Sequence, residues 1–168
     1  MIIMTTILLL AGGKSTRMGQ DKAMMNGGAK RLLNIYSSLG VERVITLCGD
    51  ESRIDLFEGE VWPDPQKISG PLELIKWCLT QIKDDIQLVP CDAFNLLEAG
   101  AEWLLIQKNG VPIDENMQRQ PLLARITNRE LLDIKATTLN GLLANFPSLE
   151  KDNSSSQFSN FNTKAELN

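Results

Sequence analysis

The run from Thr5 to Ala11 constrains this chain most. Two β-branched threonines lead into Ile7-Leu8-Leu9-Leu10, and Ala11-Gly12-Gly13 closes the stretch. A continuous apolar run bounded by a turn signal predicts a strand covered on both faces, as in a parallel sheet. It is too short to cross a membrane. Nothing basic precedes Lys14, so the stretch does not read as a secretory leader either.

The rest of the chain repeats the same grammar. Lys30 to Leu39 is expected to be helical, with Gly40 as its C-terminal cap. Val44 to Cys48 is a second apolar run, and Pro63-Asp64-Pro65 and Ser69-Gly70-Pro71 punctuate the connection after it. From Pro71 onward Leu72, Ile75, Cys78, Leu79 and Ile82 recur at helical spacing, with the proline suited to a first turn. Trp77 and the aliphatic positions of that helix are core candidates. Ile86 to Val89 is a short strand stopped by Pro90-Cys91-Asp92. Trp103 to Gln107 and Pro121 to Ile126 are expected as later strands, Leu139 to Asn145 as a helix ended by Pro147, and the serine-rich stretch 150–157 as a mobile loop. Alternating strands and helices predict an α/β fold: one domain over residues 1–168, its sheet mostly parallel and covered by helices on both faces. In such sheets ligands sit beyond the carboxyl ends of the strands. Gly12-Gly13 and Pro90-Cys91-Asp92 both fall at ends of that kind.

Composition narrows the function. At 168 residues, with 43% apolar and 23% charged side chains, the chain suits one globular domain. A net charge of −4 argues against a nucleic-acid binder with a broad basic face. Between Lys14 and Arg31, however, Lys14, Arg17, Lys22, Lys30 and Arg31 face a single acid, Asp21. That local excess suits a compact polyanion such as a triphosphate. Cys48, Cys78 and Cys91 are widely spaced and odd in number, which points to a reducing, cytoplasmic compartment rather than to disulfides or a thiolate metal site. Cys91 reads as a small buried apolar group. There is no histidine, which removes Ser/His and Cys/His nucleophilic catalysis, histidine-ligated zinc and the commonest general base. Chemistry here rests on carboxylates, lysine, arginine, backbone amides and bound metal.

The segment Leu10 to Lys22 carries the strongest signal. Gly13-Lys14-Ser15-Thr16 is not a P-loop, because the glycine that motif needs five positions earlier is Leu8. The spacing of Gly12, Gly13 and Gly19 also fails the dinucleotide fingerprint. Adjacent glycines nonetheless let backbone amides approach phosphate oxygens closely. Arg17 and Lys22 supply fixed positive charge for the outer phosphates, whose negative charge grows as pyrophosphate leaves. Asp92, just beyond a buried strand, is a candidate magnesium ligand or, equally, the cap of a turn beginning at Ala93. Asp64 is a turn residue or a fixed ligand contact, stiffened by its two flanking prolines.

The whole string, Leu-Ala-Gly-Gly-x-Ser-x-Arg-Met-Gly-x-Asp-Lys from Leu10 to Lys22, resembles the signature loop of the MobA-like nucleotidyltransferases, in particular the molybdenum cofactor guanylyltransferases. Gly70-Pro71-Leu72, Pro90-Cys91-Asp92, Gln120-Pro121-Leu122 and Asn160-Phe161-Asn162-Thr163 resemble further segments of that family, in the same order. The resemblance implies a Rossmann-like fold and a Mg²⁺-dependent transfer of GMP from GTP to molybdenum cofactor (molybdopterin), with release of pyrophosphate. By matched position it implies that Leu10, Ala11, Gly12, Gly13 and Lys22 hold the nucleotide. Asp64 would contribute to the pocket, Gly70 would lie near the base, and Asp92 would bind both nucleotide and metal. It also implies transient contact with cofactor-delivery proteins or molybdoenzymes. The chain departs from the pattern at Leu47, where the family's guanylyltransferases often carry an asparagine that contacts the nucleotide, and at Leu74, which stands in place of a second glycine.

Overall fold

The computed structural model describes residues 3–12, 22–152 and 155–159. Arg17, Gly13 and Asn160 to Thr163 lie outside the described residues, and for Lys22 only the backbone is described.

The expected first strand is β1, Ile3–Leu10, and it occupies the centre of the molecule. Ile7, Leu8 and Leu9 are at most 1% exposed, so both faces of the strand are covered, as a period-two backbone with apolar residues at consecutive positions requires. β1 pairs in parallel with β2, Val41–Gly49, on one side and with β4, Asp85–Pro90, on the other. β3, Glu60–Pro63, extends the sheet beyond β2, and β6, Arg125–Ile126, closes the other edge antiparallel to β4. The strand order is therefore β3-β2-β1-β4-β6. A small second sheet pairs β5, Val111–Pro112, with β7, Ser148–Leu149.

The chain moves from β1 outward through β2 and β3, then returns across β1 to place β4 on the opposite side. That reversal puts the topological switch point at the carboxyl ends of β1 and β4, where doubly wound sheets bind ligands. Helices cover both faces. Ile7, Leu9 and Val89 pack with Ala29, Leu32 and Tyr36 of α1, Gly28–Ser38, and with Ala101, Leu104 and Leu105 of α3, Glu98–Leu105. Leu8, Ile45, Leu47 and Leu88 pack with Ile75, Cys78 and Leu79 of α2, Gly70–Gln81, and with Leu142 of the short α4, Leu139–Leu142. Trp77 is part of this second layer, edge-on to Trp62 with ring centroids 5.6 Å apart.

Several sequence expectations hold closely. The Gly40 amide donates to the Ser37 carbonyl and ends α1, and Pro71 occupies the first turn of α2. Others are corrected. Trp103 to Gln107 is not a strand: most of it belongs to α3, because Ala101, Leu104 and Leu105 form a buried face at helical spacing. Pro121 to Ile126 is split into a 3-10 turn, Pro121–Leu123, and the two-residue β6. The helix from Leu139 stops at Leu142, earlier than expected. β3 had no predicted counterpart, since its four residues alternate only weakly and are half-buried or exposed.

The serine-rich stretch expected as a loop over 150–157 contains a seated element. Ser155–Phe158 forms a 3-10 turn in which the Gln157 side-chain oxygen accepts from the Leu97 and Gly100 amides, 3.1 and 2.9 Å away. Those amides open α3 and have no intrahelical acceptor, so Gln157 serves as a remote cap. Phe158 is 0% exposed and stacks at a tilt on Trp103. Deleting that ring removes a large buried surface and leaves a cavity between α3 and the sheet. Phe158→Ala is expected to destabilise the fold by about 3–5 kcal/mol, read as a lower urea midpoint with an unchanged denaturant slope.

Candidate active site at the carboxyl rim of the sheet

The exits of four parallel strands meet at one rim. Beyond β1 the Ala11 amide donates to the Leu47 carbonyl at 2.9 Å, carrying the strand's pairing with β2 one residue further. Gly12 follows, against the exit of β2: a Cβ there would lie 2.9 Å from both the Cα and the amide nitrogen of Gly49. Gly49 itself has φ 83°, left-handed backbone that favours glycine. Glycine is thus required at Gly12 to let two strand exits touch, in addition to any approach of a ligand.

The other exits follow in register. The Asp64 amide donates to the Gly49 carbonyl at 2.7 Å, which fixes the exit of β3 beside that of β2. The Cys91 amide donates to the Leu10 carbonyl at 2.9 Å, which fixes the exit of β4 beside that of β1. Leu10 pairs directly with Pro90, so Gly12 and Asp92 each lie two residues past a matched pair on adjacent strands. Asp92 is 9% exposed, and its backbone carbonyl accepts from Phe94 in a tight turn. Gly70, with φ 82°, begins α2 after the loop that leaves β3, so the amino end of that helix belongs to the same rim.

Asp64 is the most electrostatically distinctive of these groups. Its Oδ1 is buried without a hydrogen-bond partner, and burial pushes the carboxyl above the ordinary carboxylate range. A pocket of about 380 Å³ opens here, lined by Gly49, Asp50, Glu51, Pro63, Asp64 and Gln66. A half-buried carboxylate with an unused oxygen is a group prepared for a donor or a cation to arrive. By contrast the thiols are quiet. Burial raises the Cys48 thiol and pushes that of Cys78 up to about 12, so neither is a nucleophile at neutral pH.

Of the residues expected to act, Leu10, Ala11, Gly12, Asp64, Gly70 and Asp92 all fall at this rim. Lys22 opens a 3-10 turn, Lys22–Gly27, that leads into α1. Leu47, at the position of the family's asparagine, is 1% exposed in the core on the α2 side. Among the described residues no group of three or more histidine, cysteine or acidic side chains is arranged as a metal site. No helix among them is long and apolar enough to cross a membrane. Two rim elements escaped the sequence reading: Gly49, and Arg53 in the 3-10 turn Glu51–Leu56. A glycine directly after a predicted strand could have flagged the first. Arg53, inside a polar stretch, gave no signal.

A reversing parallel sheet with a glycine turn and a carboxylate at its switch point defines a class of ligand-binding α/β domains. More narrowly, residues 7–144 match the profile of the MobA-like NTP transferase domain, and the chain belongs to that family. A protein of Synechococcus elongatus named probable molybdenum cofactor guanylyltransferase is 37% identical over 94 residues, covering 51% of this chain and 48% of that relative. The match thus spans about half the length of the relative. Among solved structures, an Aquifex aeolicus protein superposes with a TM-score of 0.72 at 19% identity, covering 95% of this chain and 94% of its own. Molybdopterin-guanine dinucleotide biosynthesis protein A of Archaeoglobus fulgidus gives 0.68 at 20% identity, covering 96% and 94%. At those identities the two structures share the fold.

The burial of Asp64 makes a test independent of activity. With its pKa raised in the folded state, the folded chain holds this proton more tightly than the unfolded chain does. The resulting stability is present below the unfolded carboxylate range and is lost as pH rises through the folded value. Asp64→Asn is therefore expected to melt at a higher temperature than the parent near about pH 7.5, with the gap closing toward about pH 4. A variant no more stable at the higher pH would contradict the account.

Proposed function

We propose that this chain is a nucleotidyltransferase that moves GMP from GTP to molybdenum cofactor, with Mg²⁺ assistance and release of pyrophosphate. One observation carries the reading: the Ala11–Gly12 turn and Asp92 leave adjacent strands at matched register on either side of the switch point. A triphosphate between them would meet backbone amides on one side and a carboxylate on the other. The family membership and the name of the Synechococcus relative support the same choice.

In this reading an oxygen of the cofactor's terminal phosphate forms a bond to the α-phosphorus of GTP, and the bond from that phosphorus to the β-bridging oxygen breaks. The leaving group is pyrophosphate. A phosphate monoester is already largely ionised at neutral pH, its second pKa being about 6, so it needs little from a general base. The absence of histidine is then no handicap, because positioning and charge stabilisation supply most of the catalysis in transfers of this type.

Leu10, Ala11, Gly12 and Gly13 hold the nucleotide, Leu10 and Ala11 as the paired strand end and the two glycines through amides toward phosphate, while Arg17 and Lys22 offset the charge that develops on pyrophosphate. Asp64 lines the nucleotide pocket, and Gly70 lies toward the base. The donor set suits magnesium, which takes hard oxygen ligands and commonly uses one or two carboxylates plus substrate phosphates and water. Asp92 would be the protein's ligand. When bound, magnesium polarises the phosphoryl oxygens. With Leu47 committed to the core, the base is read by other groups. The chain works in the cytoplasm and hands its product to a molybdoenzyme or a delivery protein.

Thermal shifts with GTP, CTP and UTP, each with Mg²⁺, are expected to be largest for GTP. Pyrophosphate release from GTP plus molybdenum cofactor is expected to fall about 100-fold or more in Asp92→Ala, a loss of several kcal/mol of charge stabilisation, while circular dichroism stays unchanged. No shift with GTP, or full activity in the variant, would overturn the proposal.

A further inference from the structure

Arg53 bridges the exits of the two strands that form the glycine side of the rim. Its Nε donates to the Cys48 carbonyl and its Nη2 to the Ala11 carbonyl, each at 2.9 Å. The guanidinium also lies over the Phe57 ring, 5.7 Å from its centroid. The backbone around it is set by local chemistry: the Asp50 side chain caps the turn by accepting from Ser52, and the Arg53 amide donates to the Asp50 carbonyl. Arg53 is thus delivered to the rim by a capped turn and stiffened by an aromatic face.

The bond to Ala11 has a consequence across the peptide plane. The carbonyl of Ala11 and the amide of Gly12 belong to one trans planar unit and point in opposite directions. Fixing that carbonyl toward Arg53 fixes the Gly12 N–H away from it. The Ala11 amide is itself tied to Leu47, so both peptide planes flanking Ala11 are constrained. We infer that Arg53 is a positioning residue for triphosphate recognition: it sets the orientation of the first amide of the glycine turn without touching the nucleotide's base. This rests on the nucleotide reading given above and adds to it a residue outside the loop that carries the family resemblance. A planar fork with donors on separate nitrogens can hold two carbonyls of different strands at once, a geometry a lysine ammonium reproduces poorly.

Backbone donors at this turn meet phosphate oxygens, so loss of Arg53 weakens every triphosphate alike. Isothermal titration of the full chain with GTP, CTP and inorganic tripolyphosphate, all with Mg²⁺, reads this directly. Arg53→Ala is expected to raise the dissociation constants of all three about 10- to 100-fold, preserving the order among bases, and millimolar guanidinium chloride is expected to recover part of the loss. Arg53→Gln keeps an amide donor nitrogen on a shorter stem, and provides a milder second variant with an expected loss of about tenfold. A merely structural role would lower the melting temperature without a common loss for phosphate ligands and without guanidinium recovery. If Arg53→Gln binds tripolyphosphate as tightly as the parent, the inference falls while the nucleotidyltransferase reading stands. If the parent itself binds neither GTP nor tripolyphosphate, both fall together.

Discussion

The close approach of Gly12 to Gly49 is the constraint on which the rim depends. Strand exits in a parallel sheet normally diverge into their separate connections. Here two glycines lie close enough that a single added carbon would meet backbone atoms. Three hydrogen bonds repeat the same economy along the rim: Ala11 to Leu47, Asp64 to Gly49 and Cys91 to Leu10. Each extends a strand's pairing just past its regular end. The result is a row of turns held by the rigidity of the sheet below, with buried β1 as its axis. A site built this way is pre-organised, because the entropy of ordering its backbone is met by folding rather than by ligand binding.

The electrostatics of the rim are divided rather than uniform. On the β2–β3 side the pocket wall is acidic, and Asp64 carries a desolvated, unpartnered oxygen. On the β1 side the donors are backbone amides, supported by a guanidinium spent on carbonyl groups. In the proposed reading, acid on one flank and N–H groups on the other suit a polyanion that arrives with a cation. Neutral amides bind phosphate without adding net charge, which lets an acidic protein hold an anionic ligand.

The opposite faces of the sheet are unequal in how they are finished. The α2 side is a broad aliphatic layer closed by α4. The α1–α3 side is completed by Phe158 and capped through Gln157, residues from near the end of the described chain. This makes the packing of α3 depend on a contact more than fifty residues away in sequence. The loop that follows Asp92 runs directly into α3, so the same remote contact also stiffens the support beneath the candidate metal ligand.

The sequence by itself determined the central strand, the parallel α/β class, α1 with its glycine terminus and α2 with its proline start. These follow from unbroken apolar runs, helical spacing and turn chemistry, all properties of neighbours along the chain. It also set Gly12 and Asp92 at strand ends, and the family resemblance added Asp64 and Gly70. Only the tertiary structure decided the rest. Trp103 to Leu105 became helix because Leu104 and Leu105 join Ala101 on one buried face, and β3 became a strand because β2 offered it an edge. Arg53 and Gln157 gained their roles from carbonyls and amides 42 and 57 residues distant. Local pattern cannot report such partners, since a polar side chain reads the same whether it meets water or a backbone group brought to it by the fold.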